Sequence, residues 1–304
     1  MLKRKRVVLD KNDWVRVLLS ETTPAEMPVI VSNDGFYFNI ISKNRHAPLD
    51  TLINILLTPS VKKRFSIPFN YKITKDRESF RRLSLPHPRA QLEVVNFYKR
   101  FSSLIAHYSQ VGPFSLRRPK RIASHYYRAG MNDDVFAVKT QDIMDESAER
   151  SAKHAASVFS YSGYRRLYRF FDSPTYSNLE RKFRHMASLD VNKCFDSIYT
   201  HSISWSLKSK TEAKLTTTAE SFGGAFDRLM QSMNYNETNG IIIGPEVSRI
   251  FAEIIFNKID LDIHTSLADQ GFKNGTDYSI FRYVDNIYVF YNNRTTFNSG
   301  HLDF

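Results

Sequence analysis

Apolar and aromatic residues crowd both sides of a short acidic and amide pair in Phe281-Arg282-Tyr283-Val284-Asp285-Asn286-Ile287-Tyr288-Val289-Phe290. This pattern predicts two strands joined by a tight turn, since Asp and Asn tolerate turn conformations, and it would hold Asp285 at the hairpin tip. A second strand start, Leu189-Asp190-Val191-Asn192-Lys193-Cys194-Phe195-Asp196, carries another acid just inside an apolar run. Between the two, Gly244-Pro245 precedes Val247, Ile250, Phe251, Ile254 and Ile255, which fall on one face of a helix. Upstream, Val94, Tyr98, Phe101, Ile105 and Tyr108 recur at steps of three and four after Pro86-His87-Pro88, which predicts a long helix with a core-facing stripe. His87 between prolines reads as a turn residue.

The remaining segments are shorter. Val15–Leu19, Val29–Val31 and Phe36–Ile41 are strand-like runs broken by Pro24, Pro28 and Asn33-Asp34-Gly35. Helices are expected over Ser147–Ser157 and Tyr161–Phe171, and Asp172-Ser173-Pro174 offers a stop and a new helix start.

Composition narrows the class. With 304 residues, 42% of them hydrophobic, the chain can bury a sizeable core divided into two or three subdomains. The net charge of +12 favours an anionic partner such as nucleic acid. A single cysteine, Cys194, excludes an internal disulfide, so a reducing cytoplasm is the natural compartment; no apolar run approaches a membrane span, and no membrane partner is expected.

The candidate chemistry follows from charge. A displayed carboxylate is costly unless solvated or compensated, and Asp190 with Asp285 would make a divalent-metal site if a central antiparallel sheet set them side by side. Arg117, Arg118, Lys120 and Arg121 stand among aromatics between Phe114 and Arg128, a mixture suited to phosphate contact and base stacking. Glu21 and Glu26 lie in a proline-interrupted loop and read first as solvated acids.

The order of Asp strand, Gly-helix and Tyr-x-Asp hairpin resembles a reverse transcriptase, with Asp190 and Phe195 in motif A, Gly240 to Ile254 in motif B and Tyr283 to Asn286 in motif C. The chain also resembles abortive-infection and defence-associated bacterial reverse transcriptases, through Leu83-Ser84-Leu85-Pro86-His87-Pro88, Phe114-Ser115-Leu116-Arg117, Ile198-Tyr199-Thr200-His201-Ser202-Ile203-Ser204-Trp205 and Ile243-Gly244-Pro245. With Leu18-Leu19-Ser20-Glu21-Thr22 and Ser32-Asn33-Asp34-Gly35-Phe36-Tyr37 it looks like the second (b) subunit of type 3 defence-associated systems.

The resemblance implies an α+β, right-hand polymerase fold: an N-terminal extension (1–60), helical fingers (61–187), an antiparallel-sheet palm (188–295) and the start of a C-terminal region (296–304), with the thumb absent or not in this chain. It implies that Asp190, Asp285 and the backbone oxygen of Val191 hold two Mg2+ ions, with Mn2+ as a substitute, and that Phe195 excludes a 2′ hydroxyl. Arg117, Arg118, Lys120, Arg121, Ile243, Gly244 and Tyr283 would contact nucleotide or template. The implied partners are dNTPs, a non-coding RNA or DNA, a companion reverse transcriptase and further copies of the chain, in a bacterial cytoplasm. Two positions depart from the pattern: Asn286 replaces the second Asp of the hairpin, and Ile243 replaces a Gln. The missing thumb and Ile243 leave template-independent or protein-assisted synthesis open, with Glu26 as a mimic of a template base, and Asn286 leaves open a catalytically silent RNA-binding scaffold.

Overall fold

The computed structural model describes residues 5–28, 30–42, 47–57, 65–128, 155–207 and 221–292. Its elements are, in order, β1 (Lys5–Val8), α1 (Val17–Ser20), α2 (Asp34–Ile41), α3 (Ala47–Leu57), β2 (Phe69–Thr74), β3 (Phe80–Leu85), α4 (Pro88–Tyr108), β4 (Arg117–Ile122), β5 (His125–Arg128) and β6 (Phe159–Gly163). There follow α5 (Tyr168–Phe171), α6 (Pro174–Lys182), β7 (His185–Asp190), α7 (Cys194–Ser197), α8 (Ser202–Leu207), α9 (Phe222–Met233), α10 (Glu246–Asp269), β8 (Tyr278–Tyr283) and β9 (Asn286–Tyr291). The result is a mixed α and β chain with small antiparallel sheets: the pairs β1–β5, β2–β3 and β4–β6, and a three-stranded sheet in the order β7–β9–β8.

The predicted stripe of α4 is its buried face. Val94, Tyr98, Phe101 and Ile105 pack in one cluster with Phe226 and Met230 of α9 and with Val247, Ile250, Phe251 and Ile254 of α10. His87 caps α4, its Nδ1 accepting from the Arg89 N–H at 3.2 Å, which satisfies one of the orphan donors of the first turn. Ser173 does the same for α6, with Pro174 in the first turn.

Several expectations change. Glu21, read from the sequence as a solvated loop acid, is fully buried; Ile30 and Val31 lie in no strand, and residues 155–157 lie in no helix. Phe36–Ile41 and most of Val15–Leu19 are helical (α2 and α1) rather than strands. Phe36 and Ile40 sit one turn apart and both reach the main cluster, a contact that outweighs the strand preference of aromatic and β-branched residues. Tyr161 lies in β6, opposite Pro119 of β4, so the expected helix over Tyr161–Phe171 shrinks to α5. Of the remaining expectations, Ser147–Ser157 up to residue 154, Val29, and the region 296–304 lie outside the described residues.

The segment before residue 60 is built into the core: Val17 and Leu18 are fully buried beside α4 and α10. In the three-stranded sheet, β9 is central and covered on both faces. Ile287 and Val289 pack with Phe114 and Leu267, whereas Tyr288 and Phe290 pack with Phe170, Leu179 and Phe183. Alternate residues of a strand point to opposite faces, so a strand covered on both sides reads as an unbroken apolar run.

Candidate active site

The β8–β9 hairpin closes through a two-residue turn, Val284-Asp285, because Tyr283 and Asn286 are the last paired positions. The sequence pattern suggested Asp285-Asn286 as the turn pair; the structure moves the turn back by one. Val284 takes the positive φ, 59°. A β-branched residue there is a genuine outlier, and such strain persists only where the surroundings enforce it. Asn286 instead opens β9 and pairs with both Tyr283 and Asp190.

That register brings the two acids together. Asp190 ends β7 beside the turn, and the next N–H, of Val191, donates to the Asp285 carbonyl at 3.3 Å. Burial raises the Asp285 carboxyl above its ordinary value; its own N–H pulls it down, the Asp190 charge raises it again, and Arg81 and Arg249 oppose that rise. The Asn286 amide donates to Asp285 Oδ1 at 3.4 Å. Cys194 lies behind them, its thiol pushed up to about 12 by burial and then by Asp285.

This donor set fits a divalent cation of the magnesium class. Among the described residues no group of three or more His, Cys, Asp and Glu side chains forms a metal cage. Mg2+ is commonly held by one or two carboxylates with substrate phosphates completing its shell, and two repelling carboxylates supply that hard-oxygen base. The Val191 carbonyl accepts from the Cys194 N–H at 3.2 Å, which leaves its second lone pair.

Phe195 follows on α7 and is tied to the glycine segment: the Ile241 N–H donates to the Phe195 carbonyl at 2.8 Å and the Gly240 N–H to that of Ile198 at 2.9 Å. Gly240 has φ +85°, and a Cβ there would lie 2.9 Å from the Asp196 carbonyl oxygen, so the approach needs glycine. Ile243 is half-buried, its carbonyl accepting from the Ser84 N–H of β3 at 2.9 Å. Gly244 has φ +122° and rests against Pro24. Glu26, on the same loop as Pro24, is exposed, with its backbone oxygen accepting from the Tyr71 hydroxyl at 2.6 Å. The Tyr283 hydroxyl is used locally, donating to the Arg165 carbonyl at 2.7 Å.

The basic run divides. Arg117 does not face solvent as a free phosphate grip: it pairs with Glu246 Oε1 at 2.6 Å and lies over the Tyr161 ring, 4.3 Å from its centroid. Arg118 donates to the carbonyls of Ser115 and Pro113, each at 2.8 Å. Lys120 and Arg121 are exposed. The cations with an electrostatic hold on Asp285 are Arg81 and Arg249, which sequence reasoning missed. Arg81 stands beside Arg82 in a β2–β3 hairpin that also carries Lys72, a basic cluster that could have drawn attention. Arg82 bridges that hairpin to α7 through Asp196 at 2.9 Å.

No family profile and no curated protein matches the sequence. Among solved structures the chain is similar to telomerase from Candida albicans in complex with a fragment of telomeric RNA, at 10% identity and a TM-score of 0.39, covering 84% of this chain and 43% of that one. Two telomerase structures from Candida tropicalis give TM-scores of 0.41 and 0.40 at 13% and 11% identity, covering 83% and 84% of this chain. The chain spans less than half the length of these telomerase chains. Among the described residues no helix is long and apolar enough to cross a membrane.

Proposed function

We propose that this chain is a reverse-transcriptase-like polymerase that adds dNTPs to a 3′ hydroxyl. The observation that carries the reading is the placement of Asp190 and Asp285 at one end of the β7–β9–β8 sheet, through the Asp190–Asn286 register.

In this reading residues 188–295 act as palm and 61–187 as fingers. Asp190, Asp285 and the Val191 carbonyl hold divalent ions, two Mg2+ or Mn2+. When bound, such ions lower the pKa of the attacking hydroxyl and neutralise charge on the triphosphate and leaving pyrophosphate. Phe195 excludes a 2′ hydroxyl by bulk, selecting deoxynucleotides. Arg81 takes up triphosphate charge, with Arg249, which also pairs with Glu246 Oε2 at 3.4 Å, beside it, while the exposed Lys120 and Arg121 contact nucleic-acid phosphates. Ile243 and Gly244 line the nucleotide and template side.

The sequence resemblance supports a role in bacterial antiphage defence, in the cytoplasm, beside a non-coding RNA and a companion reverse transcriptase. The loop from Ser20 to Pro28 reaches Gly244 through Pro24; in template-independent synthesis the Glu26 carboxylate on that loop would accept from the exocyclic amine of an incoming base. Asn286 favours one other reading, a silent RNA-binding scaffold with the same fold.

The test is incorporation of each labelled dNTP and rNTP with Mg2+ or Mn2+, with and without RNA and a companion subunit. DNA made by the parent and lost in Asp285→Ala supports the polymerase. RNA binding without incorporation under every condition supports the scaffold.

A further inference from the structure

We propose that Arg282 is a positioning residue for the candidate site, a buried clamp that fixes the strained peptide aiming Asp285. This deepens the reading above and rests on Asp285 as a metal-holding carboxylate.

Arg282 is completely buried. Its guanidinium is gripped by two acids of α10: Nε and Nη2 donate to Asp260 at 2.8–3.1 Å, and Nη1 donates to Glu253 Oε2 at 2.8 Å. Nη1 also donates to the Val284 carbonyl at 3.1 Å. The main chain of the same residue is tied on the other side, its N–H donating to the Phe114 carbonyl at 2.8 Å and its carbonyl accepting from the Leu116 N–H at 2.7 Å. One residue therefore joins the hairpin, α10 and the segment that leads into β4. Burial lowers the Arg282 pKa, but Glu253 and Asp260 raise it well above the ordinary value. Arg118 lies within electrostatic reach of both acids, and burial still raises the Asp260 carboxyl above its ordinary value.

A buried ion network is weak evidence for stability, because well-packed apolar residues often serve equally well. What distinguishes this one is where its remaining donor goes. The Val284 carbonyl belongs to the peptide bond that leads into Asp285, and Val284 holds φ 59° with no glycine in the turn. Free of the clamp, a valine returns to negative φ and swings Asp285 away from Asp190. The planar fork of arginine can serve two carboxylates and a carbonyl together; a lysine ammonium cannot hold the same geometry.

The test uses the full chain and reads Mn2+ binding by electron paramagnetic resonance together with local amide exchange. Arg282→Lys is expected to weaken Mn2+ roughly 10- to 100-fold, as other supports of metal ligands do. It should speed exchange at 283–286 and 190–192 while α4 stays protected. Val284→Gly should restore most of the loss, since glycine takes positive φ unaided. If Arg282→Lys does not fold, Glu253→Gln, which leaves the Asp260 pair intact, carries the same expectation. Parent-like Mn2+ affinity in a folded clamp variant, or a loss that Val284→Gly does not relieve, overturns the clamp. Equal Mn2+ binding by the parent and Asp285→Ala removes the metal reading itself, and the positioning role with it.

Discussion

The ring of Pro24 packs against Gly244 so closely that a Cβ on residue 244 would stand 2.8 Å from the proline Cγ. The loop before α2 and the segment entering α10 are thus in contact, and the φ of +122° at Gly244 adds a second demand for glycine. Gly244→Ala is expected to cost about 1–3 kcal/mol in urea unfolding, the usual scale of such strain, and to lower dNTP incorporation beyond what the lost stability explains. Unchanged stability would mean that the loop yields freely.

Two buried glutamates beside this contact should respond in opposite ways. Burial pushes the Glu246 carboxyl up, but Arg117 and Arg249, with hydrogen bonds from Arg117 and Tyr161, hold it down at about 2. Its stabilisation is therefore present above the ordinary carboxylate range and lost as pH falls toward 2. Glu21 is raised, first by burial and then by the Glu246 charge, although Ser157, Val158 and Tyr98 all donate to it. Its contribution is present at low pH and is lost as pH rises through the raised value. Glu246→Gln should cost about 3–5 kcal/mol at neutral pH, because it leaves Arg117 buried without its counter-charge. Glu21→Gln should cost only about 1 kcal/mol and flatten the fall in stability above pH 5. Urea titrations at pH 5 and 7.5 separate the two, and equal losses would contradict the assignment.

Arg81 is exposed and stands outside the core, so Arg81→Ala should change stability by less than about 0.5 kcal/mol. If it takes up triphosphate charge, the KM for dNTP should rise about tenfold, the loss of one charge-assisted hydrogen bond. An unchanged KM would assign Arg81 to the electrostatics of Asp285 alone.

The β1–β5 ribbon presents Arg6 opposite Tyr127, both exposed, with the His125 ring edge-on to Tyr127 at 5.4 Å. A cation beside an open aromatic ring suits single-stranded nucleic acid. Tyr127→Ala should weaken oligonucleotide binding about tenfold in fluorescence anisotropy, the scale of one lost stack. Arg6→Ala should reduce the salt dependence. No change in either variant would leave the ribbon a solvated edge.

The parts of this architecture legible in sequence are those set by local pattern. Asp190 and Asp285 stand in apolar runs long enough to declare their strands, and the stripes of α4 and α10 have helical period. The rest depends on distant contacts. Arg117 and Arg118 look alike in the chain, yet one is committed to Glu246 and the other to backbone carbonyls. The shift of the turn onto Val284 follows from the fixed register of Asn286 and from Arg282, whose acids lie on α10. The strand-like run at Phe36–Ile41 becomes helical because Phe36 and Ile40, one turn apart, both pack half-buried against the main core cluster.

Anomalous scattering from crystals soaked with Mn2+ and a dNTP tests the metal site with no template, primer or companion. Manganese is expected between the carboxylates of Asp190 and Asp285, with the triphosphate toward Arg81 and Arg249, and none in Asp285→Ala. Manganese absent from that end of the sheet, with the triphosphate bound elsewhere or not at all, would contradict that placement.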